Sequence, residues 1–208
     1  SIDLAAASAR GVVVCGTASS SGPPTELTWA LILGLARGIV QENTTLRSNG
    51  AWQSTVGSDL KGKQLGLLGL GKIGSDVAKI GTAFGMKTVA WSPNLTKDRA
   101  DAACVHLVSS KQELLETSDF VSIHLVLSES TKGILRGGDL KRMKPSAYLI
   151  NTSRAPLVDQ ADLIEALQHN WIAGAGLDVF DIEPLPNDHP FRRLPNVLAT
   201  PHLGYVSQ

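Results

Sequence analysis

Leu65-Gly66-Leu67-Leu68-Gly69-Leu70-Gly71-Lys72-Ile73-Gly74 decides the fold. The stretch begins as an apolar run, Leu65–Leu68, passes through three glycines at the spacing G-x-G-x-x-G and enters an amphipathic helical pattern at 73–84. Each glycine answers a different steric need. Gly69 permits the tight turn, Gly71 lets the backbone approach a pyrophosphate, and Gly74 lets helix pack closely on strand. Free N–H groups at the start of the following helix attract phosphate oxygens. Glycines also end strands for structural reasons alone, so the context matters. Here a strand precedes, a helix follows, and a second strand, Thr88–Trp91, comes about a dozen residues later.

Outward from the loop, short apolar runs alternate with amphipathic stretches. The expected strands after the first two are Val105–Val108, Phe120–His124, Ala147–Asn151, Ala173–Val179 and Val197–Ala199. Further helical patterns fall at 110–117, 136–143 and 159–169. Alternating strand and helix predict an α/β, doubly wound parallel sheet of Rossmann type. The near-continuous apolarity of FVSIHL and AYLIN fits strands covered on both faces.

The first 60 residues read differently. Leu4–Ala9 is a short helical turn and Val12–Cys15 is strand-like, before the Gly/Ser/Pro-rich stretch Gly16–Pro24 interrupts the chain. Thr25 is expected to cap a helix in which Leu27, Leu31, Leu35 and Ile39 recur at helical spacing. A helix that apolar is expected between layers or between subunits. Residues 1–20 are read as the remnant of another domain or its linker, and 21–208 as the dinucleotide-binding domain.

Composition narrows the classes. Over 208 residues, 43% hydrophobic and 18% charged, the 19 Lys and Arg balance 19 Asp and Glu. That balance gives no general affinity for nucleic acid or an anionic membrane surface. The longest apolar runs fall far short of the roughly 20 residues of a membrane span. Cys15 and Cys104 show no metal-ligand spacing and sit in apolar runs, which suits a reducing cytoplasm.

The second strand ends in Trp91-Ser92-Pro93-Asn94. An acid at the position of Ser92 would grip the ribose 2′-hydroxyl of NAD. A serine can bond the ribose without repelling a 2′-phosphate. Lys97 and Arg99 follow closely, as solvated charges or as cation partners to such a phosphate. NAD and NADP both stay open on this reading.

Three polar residues follow three successive late strands: Arg154 in NTSR, Glu183 in DVFDIEP and His202 in TPHLG. The carboxyl ends of strands in an open parallel sheet form the ligand crevice. Reducing a 2-keto acid needs a hydride at the carbonyl carbon and a proton for its oxygen. Histidine, with an ordinary pKa of about 6.5, suits the proton transfer. A neighbouring carboxylate orients the ring and favours its charged form. A guanidinium matches a carboxylate with a planar fork and polarises the adjacent carbonyl.

Together the stretches IDLAAASARGVVVC, ELTWALILGLAR, LGLLGLGKIG, NTSRAPLVD, GLDVFDIEPLP and TPHLG resemble the D-isomer-specific 2-hydroxyacid dehydrogenase family, in that family's order and across essentially the whole chain. The resemblance implies an NAD(P)-dependent oxidoreductase acting on small 2-keto or 2-hydroxy acids and a homodimer formed around the apolar helix, while a cytoplasmic location is the expectation from the cysteine usage and the short apolar runs. It assigns Arg154 to substrate, His202 to acid/base work and Glu183 to supporting His202. Lys72, Ile73, Thr152, Ser153, Asp178, Leu203 and Gly204 become cofactor contacts, with Asp178 near the carboxamide. His124 is either a cofactor neighbour or a core histidine. Ala155 stands where the family usually has Gly, which narrows backbone freedom after Arg154. The family places a substrate domain before this segment and returns to it afterwards, so the chain is expected to be the cofactor half of an enzyme and weakly active alone. The resemblance extends to transcriptional corepressors, which gives an alternative: a dinucleotide-sensing binding module without significant turnover. Formate dehydrogenases are also similar but pair their histidine with Gln, against which Glu183 counts.

Overall fold

The structure, a computed structural model, describes residues 2–16 and 20–207. Seven parallel strands form one sheet in the order β3-β2-β1-β4-β5-β6-β7. They are β1 (Gln64–Leu68), β2 (Lys87–Trp91), β3 (His106–Leu107), β4 (Phe120–Ile123), β5 (Tyr148–Asn151), β6 (Gly174–Leu177) and β7 (Val197–Ala199). The order reverses direction between β1 and β4. That is the topological switch point, where the carboxyl ends of an open α/β sheet leave a crevice.

Alternate residues of each strand feed opposite faces, as the period of two requires. Leu149 joins one apolar core while its neighbour Ile150 joins the other. The first core is closed by α6 (Lys111–Thr117), α7 (Gly137–Leu140) and α8 (Gln160–Gln168), through Leu114, Leu140 and Leu163. The second is closed by α2 (Gly22–Arg37) and α4 (Lys72–Ala83), through Leu31, Ile32 and Val77. All seven expected strands form. Each end stays within two residues of its expected place; β3 and β6 are shortened at both ends, because they stop pairing before their apolar runs do.

Four local expectations are corrected. Val12–Cys15 forms no strand: Val13 is 84% exposed, because β-branched residues make a strand only beside a pairing edge. The apolar helix is capped at Ser21, not Thr25, since Pro23 and Pro24 start it a turn earlier. It does not run through Ile39. Gly38 takes φ +59°, accepts the helix end, and Ile39 opens a separate helix, α3 (Ile39–Arg47). A short helix, α5 (Lys97–Ala102), lies between β2 and β3, where no helical pattern was read. Leu4–Ala9 does form a helix, α1, capped by Asp3. Among the described residues no helix is long and apolar enough to cross a membrane.

Candidate active site

The glycine loop joins β1 to α4 and shows three separate steric demands. Gly69 sits at φ +102°, and its N–H bonds the Trp91 carbonyl at 3.0 Å. A Cβ on Gly74 would stand 2.4 Å from the Gly69 oxygen, and one on Gly69 2.7 Å from the His124 oxygen. A Cβ on Gly71 would meet nothing within 4 Å. The first and third glycines are therefore required by packing inside the chain. The middle one has open space beside it at the helix start, the kind of place where N–H groups favour an anion.

At the end of β5 the chain is braced before it reaches Arg154. Asn151 Nδ2 donates to the Arg154 carbonyl at 3.0 Å, and the Ser153 N–H donates to Asn151 Oδ1 at 3.1 Å. Ser153 Oγ donates to the Leu125 carbonyl at 2.8 Å, and Thr152 Oγ1 lies 2.8 Å from Thr28 Oγ1 on α2. Arg154 Nη1 donates to the Ser153 carbonyl at 2.7 Å, and the guanidinium is otherwise exposed. Ala155 opens a 3-10 turn, Ala155–Leu157, whose ordinary helical backbone accepts the methyl group.

Beyond β6 and β7, two acids organise His202. Asp178 is fully buried at the end of β6. Its Oδ1 accepts from Thr200 Oγ1 at 2.6 Å and from the Leu203 N–H at 2.7 Å, and its Oδ2 accepts from the Gly204 N–H at 2.9 Å. Those bonds hold a loop in which His202 takes φ +55°. Glu183 accepts the Phe180 N–H at 2.9 Å on one oxygen and sits 2.7 Å from His202 Nδ1 with the other. A carboxylate acceptor places the proton on Nδ1 of the neutral ring, leaving Nε2 for chemistry. The edge of the Tyr205 ring packs against the imidazole, centroids 5.3 Å apart.

Charge on Glu183 is favoured despite its surroundings. Partial burial opposes ionisation, but the His202 bond, the Phe180 N–H and the nearby charges of His202 and Arg154 outweigh it, and the carboxyl is held below its ordinary value. His124 behaves oppositely. Burial pushes its imidazole down to about 4, so it is neutral at physiological pH, with Nε2 2.9 Å from Ser122 Oγ. The residue lines the site's cleft.

These elements surround one cleft of about 1100 Å³, walled by His124, Thr152, Ser153, Arg154, Asp178 and His202, with Ile73 and Gly204 also lining it. Gly69, Gly71, Lys72, Gly74 and Ser92 stand outside that wall, on the loop and strand tip that extend it. Glu183 stands behind His202, and Leu203 is 41% exposed beside it. Lys97 is engaged by Asp101 at 2.5 Å, while Arg99 reaches back to the Leu70 carbonyl at 3.5 Å. Sequence reasoning missed Thr28 and Thr200. A threonine on the apolar face of α2 was the available signal for the first, and its place at the head of the TPHLG stretch was the signal for the second.

Residues 29–204 match the family model described as D-isomer specific 2-hydroxyacid dehydrogenase, NAD binding domain. The chain belongs to this family. Among D-2-hydroxyacid dehydrogenases of known sequence, it is 41% identical over 206 residues to D-3-phosphoglycerate dehydrogenase of Bacillus subtilis, covering 98% of this chain and 39% of that one. It is 39% identical over 216 residues to glyoxylate reductase of Aeropyrum pernix, covering 100% of this chain and 64% of that one. The crystal structure of a phosphoglycerate oxidoreductase from Vibrio cholerae superposes with a TM-score of 0.93 at 38% identity, over 99% of this chain and 67% of that one. The chain thus spans between about two fifths and two thirds of the D-2-hydroxyacid dehydrogenases it matches, and that part carries their NAD-binding domain.

Proposed function

We propose that the chain is the cofactor-binding and catalytic half of a cytoplasmic oxidoreductase that moves a hydride between NAD(P)H and the carbonyl of a 2-keto acid, giving a D-2-hydroxy acid. One observation carries the reading: the His202–Glu183 pair, closed at 2.7 Å, stands on the same cleft as Arg154 and beside a glycine loop with open space at its middle glycine.

A bound nicotinamide cofactor supplies the hydride. The backbone from Gly69 through Lys72 and Ile73 to Gly74 would hold its pyrophosphate, Ser92 its ribose, and Thr152, Ser153, Asp178, Leu203 and Gly204 its nicotinamide end. His202 Nε2 gives its proton to the carbonyl oxygen during reduction and takes it back during oxidation. Glu183 fixes the ring orientation and stabilises the imidazolium. Arg154 binds the substrate carboxylate and polarises the neighbouring carbonyl.

The whole protein should oxidise NADH or NADPH in the presence of glyoxylate, hydroxypyruvate or pyruvate, followed by loss of nicotinamide absorbance. His202→Asn should lower turnover by about a hundredfold or more, the usual value of a positioned acid/base. Full turnover in that variant, or reduction of no 2-keto acid by the parent, refutes the reading. Association of two copies is the second part of the proposal. A hollow of about 580 Å³ lies against Leu35, Val40, Asn196, Val197 and Leu198; Asn196 Oδ1 is buried without a partner among the described residues, and Ile39 and Val40 are each 53% exposed. Sedimentation at micromolar concentration should give twice the chain mass, and a monomer counts against it.

A further inference from the structure

At the far end of the cleft, the tip of β2 abuts the glycine loop, since the Gly69 N–H bonds the Trp91 carbonyl at 3.0 Å. A dinucleotide held at such a loop places its adenosine ribose at this tip, and the residue following the strand meets the 2′ position. An acid there accepts from a 2′-hydroxyl and repels a 2′-phosphate. Ser92 occupies that place, and the chain turns immediately after it, the Leu95 N–H bonding the Ser92 carbonyl at 3.2 Å.

The turn delivers Thr96 as the cap of α5, with the Arg99 N–H 3.5 Å from Thr96 Oγ1. That orientation sends the Arg99 side chain back across the corner to Leu70, the residue between the first two glycines. Its Nη2 lies 3.5 Å from the Leu70 carbonyl, a long contact to a neutral acceptor. Among the described residues Arg99 makes no ion pair; Asp101 on the same helix is engaged by Lys97, and Asp98 pairs with neither. A guanidinium held beside the ribose corner by a weak neutral contact exchanges that contact readily for two charge-assisted bonds to a phosphate.

We propose that Ser92 and Arg99 form a 2′-phosphate site, so that the chain selects NADPH over NADH. The inference rests on the reading of the cleft as a dinucleotide site and adds which dinucleotide it prefers.

The 208-residue chain is titrated with NADH and NADPH separately, following nicotinamide fluorescence, and with 2′,5′-ADP and 5′-AMP by calorimetry. NADPH should bind at least about tenfold more tightly than NADH, the value of one charge-assisted bond. Arg99→Gln should cancel that advantage and the advantage of 2′,5′-ADP over 5′-AMP, while NADH affinity stays within about twofold. Ser92→Asp, which restores an acid at the strand tip, should reverse the preference. Both positions are at least partly exposed, and parent-like circular dichroism checks each variant's fold. NADH binding as tightly as NADPH, or an Arg99→Gln ratio equal to the parent's, overturns the selection and leaves the dinucleotide site standing. Binding of neither dinucleotide by the folded parent overturns the site itself.

Discussion

Replacing Asp178 by Asn should free the loop that carries His202 while leaving the sheet intact. The buried carboxylate takes three donors, Thr200 Oγ1 and the Leu203 N–H on one oxygen and the Gly204 N–H on the other. His202 lies within the span they pin and holds φ +55°, a conformation costing a non-glycine residue about 1 kcal/mol or more. An asparagine has one accepting end. With its oxygen toward Thr200 and Leu203, its NH2 confronts the Gly204 N–H; turned over, it confronts Leu203. Either way one buried N–H loses its acceptor, costing about 1–3 kcal/mol, and the remaining bonds lose charge assistance. A total near 3 kcal/mol corresponds to roughly a hundredfold faster amide exchange at Leu203 and Gly204, where opening of this loop limits exchange. Hydrogen exchange followed by NMR reads those two amides against β4 and β5 as internal standards. Thr200→Val removes one donor and strands no backbone group, so it should accelerate exchange by no more than about tenfold. Parent-like exchange at Leu203 and Gly204 in a folded Asp178→Asn chain would refute the anchoring argument.

The middle and last glycines of the loop should separate binding from folding. Gly71→Ala has room and an extended backbone, φ −88° and ψ −160°, so it should melt with the parent yet bind dinucleotide about tenfold or more weakly. Gly74→Ala, whose Cβ would stand 2.4 Å from the Gly69 oxygen, should melt several degrees lower, by about 1–3 kcal/mol of overpacking. Equal melting of the two variants contradicts the assignment. For His124, burial pushes the folded imidazole down to about 4 while the unfolded one titrates near 6.5. The unfolded chain therefore binds the extra proton between those values, and stability falls as pH drops from about 6.5 to 4, by at most about 3 kcal/mol. Urea denaturation at several pH values should show that slope, and His124→Gln should flatten it; an unchanged slope counts against the assignment. Glu183 has its folded carboxyl lowered, against burial, by His202, the Phe180 N–H and Arg154, so its pair with His202 persists above its ordinary value of 4.5 and is lost as pH falls through the lowered one. Glu183→Gln in the whole protein should cut kcat about tenfold to a hundredfold with dinucleotide affinity within about twofold, and parent-like kcat would remove Glu183 from its positioning role.

The sheet was legible because its strands are covered on both faces. FVSI and YLIN carry apolar residues at successive positions, and no solvated segment of such length has a reason to do so. Val12–Cys15 carries the same local signal and remained irregular, since pairing is a property of a neighbour that the run itself does not contain. The helix Lys97–Ala102 buries only Ala100 and so leaves no apolar period to read. Its cap, Thr96, was the one available mark. In the site, Arg154, Glu183 and His202 were legible through strand ends and motifs. The grip of Asp178 on Leu203 and Gly204 was not, because it arises only when the tips of β6 and β7 lie side by side.

Arg154, Glu183 and His202 follow three adjacent strands, β5, β6 and β7, and their loops are braced by side chains at the same strand ends, Asn151 and Asp178. The spacing of the three side chains therefore holds for as long as the β5–β7 edge of the sheet stays paired. In such an arrangement a substitution elsewhere along the cleft can alter what is bound without moving the His202–Glu183 pair.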